Sequence, residues 1–298
     1  MVHLFYNSET IITSIHANNL KALKNRSGCF RTFYDKIVLP MKRPVLTIIL
    51  VCFSLMIRPA AAAGTYDGLW FLGFNMNKEV FSGNKSKLVR QAFNHAINRS
   101  YICKDVIGDN NVPSGVIPTG MPGHLDNRSG YSFSTSRAKK LLRSAGLKEG
   151  DKRLKNLTLI HTDGQKTAKI ARIIKKELAD SGIQVTLKEI AYEEDDSWER
   201  ELTKGSADLF LMGYKVPPQP FEKNDPVSRS EKFLYELFHS KGEANMFFLH
   251  NKDLDALIET TGTVPSKEAG LKTRLLQKAD GLLFEDPVTV NLFYIEEL

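Results

Sequence analysis

Between residues 157 and 213 the chain alternates two hydrophobic periods, and that alternation restricts its fold more than any other feature. Leu157 and Leu159 repeat at period two in LTLIH, as in a strand. Ile170, Ile173, Ile174 and Leu178 then repeat at helical spacing across residues 167–181. Gly182 stops that helix, and Ile183, Val185 and Leu187 alternate again in IQVTLKEI. An acidic helix is predicted at about 193–203, followed by ADLFLMGY, an unbroken apolar run of the kind a parallel sheet buries on both faces. Strand, helix, strand, helix, strand is a βαβαβ unit. Its helical crossovers require the three strands to run parallel.

The flanks are helical. NKSKLVRQAFNHAINRS puts Leu88, Val89, Ala92, Phe93, Ala96 and Ile97 on one face, with His95 off that face and therefore expected in solvent. YICKDVIGDN predicts a second short helix ending at Gly108. Residues 111–133 then read as a long loop, punctuated by Pro113, Gly115, Pro118, Gly120, Pro122 and Gly123. STSRAKKLLRSAG restarts a helix, with Ser134 or Ser136 as its cap and Gly146 as its stop. Beyond the βαβαβ unit a Pro-rich loop, VPPQPFEKNDPV, leads to helices at about 230–239, 252–261 and 266–285, and VTVNLFY is a last strand.

The N-terminal region has a different character. In residues 41–64, MKRPVLTIILVCFSLMIRPAAAAG, the cations Lys42 and Arg43 precede an apolar run, and four alanines follow Arg58 and Pro59. That order is the order of a secretory signal, and the apolar run is shorter than the roughly 20 residues a bilayer span needs. An uncleaved membrane anchor and a buried core helix are the alternatives. Val51 stands where a lipoprotein signal needs a small residue, which argues against lipidation at Cys52. Residues 1–40 have no clear period and are expected to be an upstream, non-structural extension, with Met41 as the start. Residues 1–43 hold seven Lys and Arg against two Asp and Glu, so most of the chain's formal net charge of +7 lies in the leader. The remainder is near neutral, which argues against a nucleic-acid partner.

Conventional catalytic patterns are absent. Of three cysteines only Cys103 lies beyond the signal, set among apolar neighbours as a small buried hydrophobe. The HTDGQKT turn lacks a phosphate-cradling glycine pattern, and Asp163-Gly164 reads as turn chemistry rather than as an acid–base pair with His161. The acidic run at 193–196 reads as a helix start, not a metal site. No cofactor, metal site or enzymatic activity is expected.

Several segments, taken in order, resemble one family. GLWFLGFNMNKEVFSGNKSKLVRQAFNHAINRSYICKDVIGDN, GVIPTGMPGH, GYSFSTSRAKKLLRSAGLKEG, ADLFLMGY, LYELFHSKGEANMFFLHNKDLDALI and LLQKADGLLFEDPVTVNLFY are similar, in this sequence, to the family 5 extracellular solute-binding proteins of bacteria, the peptide- and nickel-binding components of ABC importers. The likeness runs from about Tyr66 to Tyr294. It implies an α/β lobe of the periplasmic-binding-protein type II kind, a βαβαβ core with flanking helices, spanning residues 64–298. It also implies that the first lobe of the two-lobed clamshell is missing, that residues 66–75 are the strand crossing from it, and that the lobe is truncated at its C-terminus.

The function implied is that of an exported component, periplasmic or extracellular, binding a peptide or small molecule and presenting it to an ABC permease. The alternative is a remnant that binds nothing unless a separate first lobe completes it. Peptide-binding relatives carry a Trp-x-x-Asp-like segment after the ADLFLMGY-like strand. Here the segment is GYKVPPQP: Tyr214 takes the aromatic position, Lys215 follows, and Pro217 stands where the acid is expected. The resemblance therefore makes Tyr214 and Lys215 the candidate ligand-binding residues, with a cation suited to a ligand carboxylate and Pro217-Pro218 stiffening the loop.

Overall fold

A computed structural model describes residues 66–192, 197–216 and 226–296. The expected extension and signal at 1–40 and 41–63, the acidic run at 193–196, and Pro217 and Pro218 lie outside the described residues.

Five strands make one sheet: β1 (Tyr66–Phe74), β2 (Leu157–Thr162), β3 (Val185–Ile190), β4 (Leu209–Lys215) and β5 (Thr289–Glu296). Their spatial order is β3-β2-β4-β1-β5. Strands β2, β3 and β4 are the expected parallel unit, since β2 pairs in parallel with both others. The sheet as a whole is mixed. β1 is inserted beside β4 and runs antiparallel to it, and β5 runs antiparallel to β1. A helix-connected pattern cannot reveal this, because β1 and β5 come from distant parts of the chain.

Among the described residues seven helices of eight residues or more cover the sheet: α1 (Ser86–Ala96), α2 (Thr135–Ser144), α3 (Gln165–Asp180), α4 (Ser197–Lys204), α5 (Pro226–Phe238), α6 (Lys252–Thr263) and α7 (Ala269–Glu285). Ser134 is the cap of α2, accepting from the Arg137 N–H at 3.2 Å. The expected short helix after Tyr101 is a π-turn, Ile102–Ile107, closed by Gly108 at φ 88°. Residues 109–133 are irregular, as predicted.

Alternation along the strands divides the core in two. Leu72, Phe74, Leu209 and Leu211 face one side, where Phe93 of α1, Leu142 of α2 and Ile174 of α3 meet them. Leu69, Phe71 and Phe210 face the other, under Trp198 of α4, Phe233 of α5, Leu257 of α6 and Leu276 of α7. The result is an α/β/α sandwich. Burial on both faces explains why β4 begins as a continuous apolar run: Leu209, Phe210 and Leu211 are all buried.

Candidate ligand-binding edge

The three parallel strands end together at Thr162, Ile190 and Lys215, and β5 ends beside them at Glu296. β1, running the other way, begins there at Tyr66. In open α/β sheets the crevice beyond the strand carboxyl ends is the usual ligand position.

A buried carboxylate organises this edge. Asp67 is 4% exposed and sits between two cations, the Lys215 ammonium and the Arg229 guanidinium of α5, each 3.0 Å away. A carboxylate this dry is tolerable only when paired. Lys215 also donates to the Glu296 carbonyl at 3.0 Å, so its ammonium ties the ends of β1, β4 and β5 together. Gly68, directly across from Lys215, makes room for this reach. A Cβ there would lie 2.6 Å from the Lys215 Cγ. Lys215 remains about one-third exposed.

Tyr214 takes a different course. As the preceding strand residue it leaves the opposite face. Its ring lies 5.9 Å from that of Phe233, against the α4–α7 side of the core. Burial, with Glu236 and Glu243 nearby, pushes its hydroxyl up to about 12, so it is a neutral donor at physiological pH. The structure thus places both sequence-predicted residues at the edge but not side by side as a ring and a cation.

Sequence reasoning missed Asp67 and Arg229. Asp67 lies in a segment whose apolar pattern marks only a strand, and Arg229 lies in the first turn of α5, ahead of the residues that the sequence marks as helix. An acid inside an otherwise buried strand was the available signal.

Several other titratable groups serve the fold. Asp280 of α7, 1% exposed, accepts the backbone N–H groups of Val116 and Ile117 at 2.7 and 3.1 Å and pairs with Arg128. Arg128 in turn donates to the Ser114 carbonyl at 2.7 Å. Tyr294 donates to the Gly115 carbonyl at 3.1 Å, so the long loop is pinned to α7 and β5. His95 corrects an expectation: it is buried, with Nδ1 2.7 Å from the Ser132 carbonyl and its ring edge-on to Tyr131. What hides it is the distant irregular segment at Tyr131 and Ser132, which α1's own pattern cannot show. Cys103 is buried against the Leu292 carbonyl, and burial pushes its thiol up to about 12, far from a nucleophile's range. Asp163 accepts the Tyr192 N–H at 3.3 Å, a loop-closing contact as expected of turn chemistry. Among the described residues no cluster of His, Cys, Asp and Glu has a metal-holding arrangement.

The family model for bacterial extracellular solute-binding proteins, family 5 middle, matches residues 54–230, which include β1 to β4 and all three members of the Asp67 cluster. The chain belongs to this family. Solved structures of binding proteins share its fold. The oligopeptide-binding protein AppA of Bacillus subtilis, in complex with a nonapeptide, superposes with a TM-score of 0.63 at 20% identity, over 77% of this chain and 45% of that one. The murein tripeptide binding protein MppA of Escherichia coli gives 0.64 at 18% identity, over 83% and 46%. NikA of Staphylococcus aureus, in complex with Ni(L-His)2, gives 0.60 at 19% identity, over 76% and 45%. Among curated proteins, the glutathione-binding protein GsiB of Salmonella choleraesuis is 22% identical over 233 residues, which is 74% of this chain. The chain spans 41% of the length of that relative.

Proposed function

We propose that this family 5 protein is the exported substrate-binding component of an ABC importer, taking a peptide-type ligand at the carboxyl edge of its sheet. Family membership supports a solute-binding role, and similar proteins are described as binding a nonapeptide, a murein tripeptide or glutathione. The observation that carries the reading to this chain is the held ammonium of Lys215. An ammonium has three donors. The Glu296 carbonyl takes one, the Asp67 carboxylate holds the charge in place at 3.0 Å, and the partial exposure of the side chain leaves donor capacity for a ligand. A carboxylate at that point would gain a charge-assisted hydrogen bond from a group already fixed in place. Tyr214 supports the edge from the core side and offers its neutral hydroxyl. The reading includes delivery to an ABC permease and export through the signal at 41–63. Export predicts a mature N-terminus near Ala63 or Gly64, and recovery of residues 1–40 on exported protein would contradict it.

The ligand test is titration of the full chain, followed by tryptophan fluorescence, with short peptides and their C-terminally amidated forms. Trp70 lies on β1, stacked 5.7 Å from Phe293, and can report on this edge. Free peptides should bind more tightly than the amides, and Lys215→Met should weaken them roughly tenfold, the worth of one hydrogen bond to a charged group. Equal binding of peptide and amide, or indifference to Lys215→Met, would remove Lys215 from the site.

A further inference from the structure

The near-neutral body conceals a strong separation of charge. Residues 135–180 hold thirteen Lys and Arg against five Asp and Glu, while the described residues of 181–298 hold twelve against fifteen. The first segment supplies α2 and α3, which pack on one face of the sheet, and the second supplies α4 to α7, which pack on the other. The near-neutral overall balance therefore averages a strongly basic layer with a nearly balanced one. On α2 the cations Arg137, Lys140 and Arg143 are exposed, and on α3 so are Lys169, Arg172 and Lys176. Their apolar neighbours Leu142, Ile170 and Ile174 point inward, so the cations are directed away from the sheet. The two helices meet at their C-terminal ends around a shallow hollow of about 90 Å³ lined by Lys139, Arg143, Lys148, Ser181 and Gly182. Among the described residues none of those six cations is in an ion pair, so the field of this layer is not cancelled locally.

We propose that the α2–α3 layer is a docking surface for anionic phospholipid headgroups. A broad single-sign field on a folded surface steers the molecule toward, and orients it over, a plane of opposite sign. With unpaired cations concentrated on one face and a near-balanced opposite face, the body would lie over a negative membrane with α2 and α3 inward. The carboxyl edge of the sheet lies at the side of the sandwich and stays open in that orientation. Charge alone marks the surface: α2 and α3 contain no aromatic residue. A stacking platform for single-stranded nucleic acid is therefore lacking, whereas a headgroup plane needs only cations.

The test is co-sedimentation of the full chain with phosphatidylglycerol–phosphatidylcholine vesicles and with phosphatidylcholine alone, at low and physiological salt. The variant reverses Lys166, Lys169, Arg172 and Lys176 to Glu. A control reverses Lys241, Lys252, Lys267 and Lys278, exposed on the opposite layer, by the same total charge. The leader is present throughout, so its own membrane affinity cancels in the comparison. A glutamine version of the α3 set serves if the reversal unfolds the chain. The expected result is binding to anionic vesicles that weakens with salt, falls roughly tenfold or more in the α3 variant and changes much less in the control. Equal loss in both variants would assign the effect to net charge and overturn the surface. So would binding to duplex DNA but not to vesicles, or salt-sensitive self-association without vesicle binding. Peptide titration of the same variants separates this proposal from the ligand-binding one, which none of these outcomes touches.

Discussion

Asp280 shows how much one side chain can decide. Its carboxylate is almost fully buried, and it is satisfied by two loop N–H groups and by Arg128, whose guanidinium also lies 4.5 Å from the centre of the Phe284 ring. Removing one member of a buried pair strands the other charge, at a cost of about 3–5 kcal/mol. Asp280→Ala should lose that much in urea denaturation, with the loop around Val116 and Ile117 becoming protease-sensitive first. A loss below about 1 kcal/mol would show that water replaces the carboxylate there. His95 gives a pH-dependent counterpart. Burial lowers its pKa, with Arg137 and Arg99 acting in the same direction and only the Ser132 carbonyl opposing. An unfolded histidine titrates near 6.5. Below that pH the unfolded chain takes up a proton that the folded one resists, so stability is full above about 6.5 and is lost as pH falls through the folded pKa. The urea midpoint should drop across that window, and His95→Gln should flatten the drop. An unchanged slope in the variant would place the titration elsewhere.

At the scale of elements, β1 and β4 are joined by an unusual repeated device. Three glycines in this pair each face a large side chain directly across: Gly68 faces Lys215, Gly213 faces Trp70, and Gly73 faces Phe210. The large side chain lies over the glycine in each case. A Cβ at Gly73 would come within 2.3 Å of the Phe210 ring, and one at Gly213 within 2.6 Å of the Trp70 indole. Glycine normally weakens a strand, and here the covering side chain recovers the lost packing. Gly73→Ala and Gly213→Ala should each destabilise by about 1–3 kcal/mol, the usual range for overpacking, by chemical denaturation. Gly68→Ala should act differently. Its Cβ would press on both the Tyr214 carbonyl, at 2.5 Å, and the Lys215 Cγ, so it should loosen the β1–β4 pair and also weaken peptide binding as Lys215→Met does. Normal peptide affinity in Gly68→Ala would mean that the ammonium finds its place without that groove.

At the scale of the molecule, the two ends of the sheet differ in kind. The carboxyl edge carries Asp67, Lys215 and Arg229, while the opposite edge is closed by backbone pairing and amide contacts. There Asn75 donates to the Gly205 and Ala207 carbonyls at 2.9 and 2.7 Å, and the Met76 N–H reaches the Phe247 carbonyl at 2.8 Å. Ligand bound as proposed should slow hydrogen exchange at Gly68, Lys215 and Glu296 and leave Met76 and Asp208 unchanged. Protection confined to the second group would move the site to the other end of the sheet. No described helix is long and apolar enough to cross a membrane.

The sequence by itself determined the βαβαβ unit, the positions of α1 to α3 and α5 to α7 within a few residues, the long loop and the inert thiol. Each rests on local period, on Gly and Pro punctuation or on apolar neighbours, and these are written in adjacent residues. The ordered segments also determined the family to which the chain belongs. Tertiary structure alone decided the mixed sheet, because β1 meets β4 and β5 across more than a hundred residues of intervening chain. It alone buried His95 under Ser132 and set Asp280 beneath the loop, since a helix's own period shows which face is apolar but not which distant segment will cover its polar side. It likewise brought Asp67 and Arg229 to Lys215, which no spacing announces. A lysine in a Pro-rich stretch looks like any surface lysine until folding places a dry carboxylate 3.0 Å away and fixes its charge in space.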